Sequence, residues 1–412
     1  MITLLHLSDI HFKKKPNEVD EYSQMRRRMY ERLNEICKTI QIKGILICGD
    51  IAYSGLKKEY DEKAKPFICE LQKITGCDDA QIYMVPGNHD RTWDAKYDKT
   101  RSLMRNGFLF CDKSEVLLSD ICLEESNTLR TMLAPSANYI EFASRYSCVS
   151  DGVRKVVSGQ EMSSNDKMYW VSKLLEENGY TINLIGINTT LLSDGDDKNH
   201  KQFLPAHLYK IDKRQHVINI SMMHHPVDGI KDGDKVAADL DKRFLVQLTG
   251  HIHVPSSKKG SVLKISSGAF MPPMNENKEP EDGYNPVFNI ISFDVNNDEF
   301  HVNVQPYKWE WSKEDKDDGA FVKQEAETYY LKANDRTAIA ISTTEKVLKL
   351  PEGLRERDVE IKWINHPYNE TIIKKMYPDF DIKHDFLRDS TEFFRRLKAE
   401  DRYQELYELL KK

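Results

Sequence analysis

Five short polar clusters stand out in this chain: Asp9-x-His11, Gly49-Asp50, Gly87-Asn88-His89-Asp90, His224-His225-Pro226 and Gly250-His251-x-His253. Each follows an apolar run, respectively LLHL, GILIC, IYMVP, NISMM and LVQLT. Carboxylate, imidazole and amide donors without a cysteine suit Mn²⁺, Fe or Zn²⁺ better than an ion that prefers thiolates. The candidate ligands are Asp9, His11, Asp50, Asn88, His224, His251 and His253. Seven donors are too many for one ion and about right for two. Asp50 stands alone on its loop, which makes it the natural bridging carboxylate. Two divalent ions ~3.5–4 Å apart can clamp a phosphate, acidify a bound water and stabilise both attacking and leaving oxygens.

Something must bring these clusters together, and the alternation of elements supplies it. Over the first ninety residues, TLLHL, GILIC and QIYMV read as short strands. Between them lie two helical patterns, one with Met25, Met29, Leu33, Ile36 and Ile40 on a face, the other with Tyr60, Ala64, Phe67, Ile68 and Leu71. Pro66 interrupts the first half of the second. A β-α-β-α-β order implies parallel strands with right-handed crossovers. Loops at the carboxyl ends of such strands converge on one edge, where ligands bind. INLIGIN, VINISMM, FLVQLT and VLKISS read as further strands, and VFNIISFDV and EFHVNVQPY as a hairpin turned at NND. WVSKLLEENG reads as a helix ending at Gly179. Residues 91–165 break the rhythm and read as a partly helical insertion beside the site.

With 412 residues the chain is long enough for two or three domains. A linker is expected at 312–319, dividing a domain over 1–311 from a small C-terminal α or α+β domain over 320–412. That tail ends in a helix pair, with Phe386, Phe393, Phe394 and Leu397 on one face and Tyr403, Leu406, Leu409 and Leu410 on another. It is read as an interaction module for a protein partner. The net charge of -6 argues mildly against a glove for long nucleic acid. No apolar stretch approaches the ~18 residues that would span a bilayer. MITLLHLSDI lacks the basic start of a signal peptide, and the seven cysteines form no CxxC pair. A cytoplasmic protein with free thiols is the expectation.

Taken together, the five motifs resemble in order and spacing the series of the calcineurin-like metallophosphoesterase superfamily, over residues 1 to about 270, with the hairpin up to about 310 compatible. LHLSDIHF and HHP look most like its cyclic-nucleotide-phosphodiesterase-like branch. The resemblance implies an α/β fold, a β-sandwich flanked by helices with two divalent ions at its edge. It implies one ion held by Asp9, His11 and His253, the other by Asn88, His224 and His251, with Asp50 bridging. It also implies that His89 faces the substrate, polarising the phosphate or protonating the leaving group, with Asp90 orienting it.

The expected activity is hydrolysis of a phosphodiester, either a nucleotide, a cyclic nucleotide or a nucleic acid, by in-line attack of a metal-bound hydroxide, with Mn²⁺ as the first choice of ion and Fe or Zn²⁺ as alternatives. Rival readings are a phosphomonoesterase or phosphoprotein phosphatase, a nuclease effector recruited through the tail, and a binding scaffold. Arg91 is a candidate substrate contact because it follows the Asp90 loop. His225 either backs the ligands or touches substrate. Lys13, Lys14 and Lys15 follow His11, as a solvated loop or as phosphate-steering charge. His6, inside the first strand, reads as a core histidine.

Overall fold

The structure is a computed structural model that describes residues 1–13, 22–93, 95–111, 114–163, 166–193, 201–271, 285–296, 298–312 and 318–333, with the C-terminal positions 359, 363, 369–378, 380, 382, 393–397 and 402–410. Lys14, Lys15, Phe386 and most of the expected linker lie outside the described residues. The chain divides into two compact units, Met1–Ala338 and Ile339–Lys412.

The first unit is built on two sheets. One has the order β12 (Gly319–Lys323), β11 (Glu299–Trp311), β10 (Val287–Asn296), β1 (Ile2–Leu7), β2 (Ile45–Ile47), β3 (Ile82–Met84), with β13 (Glu327–Lys332) also paired to β11. In it β1, β2 and β3 run parallel, and β10 joins β1 antiparallel. The other has the order β4 (Trp170–Glu177), β5 (Tyr180–Gly186), β6 (Val217–Met222), β7 (Val246–Thr249), β9 (Leu263–Ser267), β8 (Pro255–Lys259). Its centre, β5, β6, β7 and β9, is parallel, with β8 antiparallel at the edge. Central strands covered on both faces must be apolar throughout rather than alternating. Leu4, Leu5, Leu7, Ile45, Leu46 and Ile47 are accordingly all fully buried. Trp170 ties the sheets together, its indole N–H donating to the Met84 carbonyl at 3.1 Å. Its ring lies over Gly186, where any Cβ would come within 1.9 Å of it.

Helices cover this sandwich as the periodicity predicts. α1 (Ser23–Cys37) buries Met25, Met29, Leu33 and Ile36. Ile40 falls beyond its end and is exposed. The second helical pattern begins as α2 (Lys57–Glu59), passes through a π turn over Tyr60–Ala64 and continues as α3 (Lys65–Thr75). Pro66 sits in the first turn of α3, where its missing N–H costs least. The insertion is strongly helical: α4 (Ala95–Leu109), α5 (Ser114–Glu124), α6 (Ser126–Leu133), α7 (Ala137–Ser144) and α8 (Asp151–Val157). α9 (Gly233–Asp241) connects β6 to β7.

Two expectations need correction. WVSKLLEE is not a helix but β4 (Trp170–Glu177), the edge strand paired antiparallel with β5. Asn178 and Gly179 both have positive φ, 53° and 78°, as a two-residue hairpin turn requires. A register shift between Lys173 and Leu175 breaks the two-residue alternation that would have marked the strand. The domain boundary also moves. β11 (Glu299–Trp311) carries two more strands on its edge, β12 (Gly319–Lys323) and β13 (Glu327–Lys332), so the first unit extends well past 311. Phe321 and Leu331 bury their side chains in the main core.

The second unit has its own small core, in which Trp363, Ile373, Phe393, Leu397 and Leu406 are buried. Its helices include α10 (Asn369–Met376) and α11 (Tyr403–Leu409). Phe394, Leu409 and Leu410 are partly buried against that core.

A chain ending at residue 338 should therefore melt as one cooperative unit, whereas one ending at 319 should lose about 3–6 kcal/mol from Phe321 and Leu331 alone. Denaturant unfolding of the two truncations checks this, and equal stability would show that β12 and β13 contribute nothing to the sandwich.

Candidate metal centre

The polar clusters meet where the carboxyl ends of β1, β2 and β3 in one sheet face those of β6 and β7 in the other. Backbone bonds zip the loops together. Asp9 N–H donates to Gly49 O at 3.1 Å, and Ile10 and His11 N–H to Asp50 O at 2.8 and 2.9 Å. Gly250 N–H donates to His224 O at 3.0 Å. Across the two sheets, His251 N–H donates to Asp9 Oδ2 at 3.1 Å. Space is tight enough to exclude side chains: a Cβ on Gly87 would lie 2.1 Å from Asp50 Oδ1, and one on Gly250 would lie 2.0 Å from Ser8 Oγ.

Backbone strain concentrates here. Among the described residues, ten non-glycine positions have positive φ, and Asp9, His11, Asp50, His251 and His253 are five of them. Left-handed backbone is costly for residues with a Cβ, and it persists where surrounding structure enforces it. Five such residues in one small volume mark a site whose side-chain directions matter more than local comfort.

Side-chain geometry places the candidates in overlapping groups. Donor atoms lie within 4.8 Å of one another in Asp9, His11 and His253, in Asp9, Asp50 and His224, in His11, Asp50 and His89, and in His224, His225 and His251. His224 and His251 face each other with ring centroids 5.2 Å apart, and Asn88 Oδ1 lies 3.0 Å from His224 Nε2. Asp50 Oδ2 lies between the groups, 3.3 Å from His224 Nε2 and 3.8 Å from His11 Nε2. Asp9 Oδ1 and both His11 ring nitrogens are buried without a hydrogen-bond partner. Buried polar atoms left so are costly unless something else satisfies them. Two buried carboxylates, neutral imidazoles and an amide oxygen are the donor set of a divalent cation that favours oxygen and nitrogen. These residues fit a pair of such ions.

Electrostatics agree. Burial pushes His11 and His251 down to about 3, so both are neutral and have lone pairs to offer at ordinary pH. Burial would lower His224 as well, but the Asp50 carboxylate outweighs it and lifts the ring to about 10. Both His224 nitrogens face acceptors, Nδ1 the Cys48 carbonyl at 2.7 Å and Nε2 Asn88. Nδ1–H bonded to a carbonyl is the arrangement that aims Nε2 at a metal. Burial opposes ionisation of Asp9, yet His253 and His224 hold it down at about 2.

Around this cluster the structure corrects two expectations. His89 N–H donates to Asp50 Oδ1 at 2.8 Å, and its ring stands 4.7 Å from that of His11. The group facing its Nδ1, however, is the Tyr53 carbonyl at 2.7 Å, not Asp90. A carbonyl only accepts, so Nδ1 carries the proton and Nε2 is the nitrogen left for chemistry. Asp90 instead accepts from Ile51 N–H, Ala52 N–H and Gly87 N–H at 3.1, 2.9 and 3.0 Å, and from the Tyr60 hydroxyl at 2.8 Å. It fastens the loop that carries Asp50 to the loop that carries Asn88. Burial, with the nearby Asp50 charge, raises its carboxyl to about 6.

Arg91 is fully buried, so it does not offer the direct substrate contact expected of it, and His225, also fully buried, takes the ligand-backing alternative. The Arg91 guanidinium lies 4.7 Å over the Trp93 ring. His225 Nδ1 meets Thr189 Oγ1 at 2.9 Å, and its ring backs His251 at 4.5 Å. His6 is a core histidine as expected, fully buried with Nε2 3.2 Å from Cys48 Sγ. Tyr53, Tyr60 and Thr189 were missed. Tyr60 announces itself only as part of an apolar helix face, and a backbone carbonyl such as that of Tyr53 has no sequence signature.

Comparison with known proteins bears on this geometry. A family model described as calcineurin-like phosphoesterase matches residues 2–255. An uncharacterized metallophosphoesterase-like protein, YydB of Bacillus subtilis (strain 168), is 24% identical over 336 residues, covering 76% of this chain and 61% of its own length. The chain thus spans about three-fifths of that relative. Among solved structures, Vps29 of Cryptosporidium parvum aligns with a TM-score of 0.32 at 13% identity, over 80% of this chain and 98% of that one. The purple acid phosphatase PPD1 of yellow lupin (Lupinus luteus) aligns with a TM-score of 0.35 at 12% identity, over 80% and 53%. Among the described residues no helix is long and apolar enough to cross a membrane. With most of its length matched by the family model, the chain belongs to the calcineurin-like phosphoesterase family.

Proposed function

We propose that this protein is a phosphodiesterase that uses two divalent ions, with Mn²⁺ the first choice and Fe or Zn²⁺ accepted by the same donors. The observation that carries the reading is the position of Asp50 between two groups of buried donors, within 4 Å of a histidine in each. Asp9, His11 and His253 would hold one ion, Asn88, His224 and His251 the other, and Asp50 both. When bound, the ions would neutralise the phosphoryl oxygens and acidify a water for in-line attack.

The chain's own residues do the remainder. The Cys48 carbonyl fixes the His224 tautomer. Asp90 holds the Asp50 and Asn88 loops in register through three backbone amides. His89, with its Nδ1 proton committed to Tyr53, acts through Nε2 and can donate to the leaving oxygen only as the imidazolium.

Preference for a diester is supported by the likeness of LHLSDIHF and HHP to the cyclic-nucleotide branch. A nucleotide, a cyclic nucleotide or a nucleic acid then fits as substrate, in the cytoplasm. The separate core of the second unit supports a role for residues 339–412 in recruiting a protein partner.

Asp50→Asn should lower kcat on bis-p-nitrophenyl phosphate by roughly a thousandfold, since it removes several kcal/mol of transition-state stabilisation while preserving shape. Steady-state rates with Mn²⁺, beside the monoester p-nitrophenyl phosphate, check both the mechanism and the preference. Normal turnover by the variant would sink the mechanism, and a faster monoester would sink the diester reading.

Metal affinity should also rise with pH. The His224 ring, lifted to about 10 by Asp50, is protonated in the metal-free protein at neutral pH, and His253 is raised by Asp9. A ligand imidazole must shed that proton, so protons compete with the ion and the competition fades toward alkaline pH. Calorimetry of Mn²⁺ binding at pH 7 in two buffers of different ionisation enthalpy should register net release of protons, that of His224 among them. Binding without proton release would contradict the assignment of His224.

A further inference from the structure

The loop that follows Asp50 is held far more firmly than a connection needs to be. Ile51 and Ala52 N–H donate to Asp90. Ser54 and Leu56 N–H donate to the buried Glu59 carboxylate at 2.9 and 3.0 Å. Asn138 Nδ2 donates to the Gly55 carbonyl at 2.9 Å. The Tyr53 N–H donates to Phe12 O at 3.1 Å, and its carbonyl faces His89. Nearly every peptide from 51 to 56 therefore has a fixed partner.

What this rigid loop presents is a half-buried aromatic ring. The Tyr53 ring lies 5.3 Å from that of His89, tilted by 36°, and 6.2 Å from that of His11. It thus stands on the side of the metal centre where His89 meets the leaving group. Among the described residues, the ammonium of exposed Lys13 lies over its face, 4.3 Å from the ring centroid. An exposed cation–π contact of this kind is weaker than the stacking of a nucleobase on an aromatic ring. A planar ring entering the site would displace the lysine.

We infer that Tyr53 determines specificity: its ring is the platform on which a planar ring system in the substrate's ester group, such as a nucleobase, stacks beside the metal centre. The inference rests on the phosphoesterase reading and narrows its substrates to ring-bearing phosphate esters. Tyr53 serves in two separable ways, because the carbonyl that orients His89 survives any side-chain replacement and the ring does not.

The test is binding of adenosine 5′-monophosphate and of inorganic phosphate to the Mn²⁺-loaded full chain by calorimetry. Both probes carry a phosphate for the ions, and the nucleotide alone carries a base. The wild type should bind the nucleotide more tightly than phosphate. Tyr53→Leu should weaken nucleotide binding roughly tenfold with phosphate binding unchanged, and Tyr53→Phe should retain the advantage. The inference is overturned if the wild type shows no preference for the nucleotide, or if Tyr53→Leu leaves the ratio of the two affinities unchanged, including by weakening both alike. Turnover of bis-p-nitrophenyl phosphate by the wild type is measured separately. Its absence would defeat the hydrolase reading while the affinity ratio still judged Tyr53.

Discussion

Two carboxylates, Asp9 and Asp50, are buried together in a cluster of imidazoles, and that buried negative charge governs the rest of the molecule. An isolated buried carboxylate is too costly to keep ionised without compensation. Here both are held ionised by the histidines around them. Those histidines come from both sheets, so the sandwich must close at one edge for the charge to be met. The left-handed backbone of five candidate ligands and the glycines at 87 and 250 are what such closure demands. The same charge leaves Asp9 Oδ1 and the ring nitrogens of His11 without hydrogen bonds, a deficit that divalent ions would make good.

Much of this was legible because the site is made of strand ends. A strand buried on both faces is an apolar run, and a ligand-bearing loop must break it with polar residues, so position and chemistry were written in the same few letters. All seven candidate ligands fall in the cluster for that reason. Interactions without a side-chain signature were not legible. The partner of His89 is a backbone carbonyl, and the partners of Asp90 are mostly backbone amides, so neither could be read from residue types. Arg91 and His225 show a related limit: a polar residue beside a motif can point inward to brace it.

The errors in the fold have equally local causes. Asn178-Gly179 serves as a hairpin turn, although a glycine after an apolar-polar mixture can also end a helix. The register shift in β4 removed the alternation that would have decided between them. The segment after 311 is rich in charge, the composition of a linker. It nevertheless leads into β12 and β13, whose single buried residues, Phe321 and Leu331, are enough to dock them along β11. Edge strands need little apolar content, and sequence periodicity is weakest where little is buried.

The most direct measurement of the central claim is the stoichiometry and magnetic coupling of bound Mn²⁺, by metal analysis and electron paramagnetic resonance of the full chain. Two ions per chain with a spin-coupled signal, lost when Asp50 becomes Asn, are the expected result. One ion per chain, or two that are uncoupled and indifferent to Asp50, would contradict a shared centre built on that carboxylate.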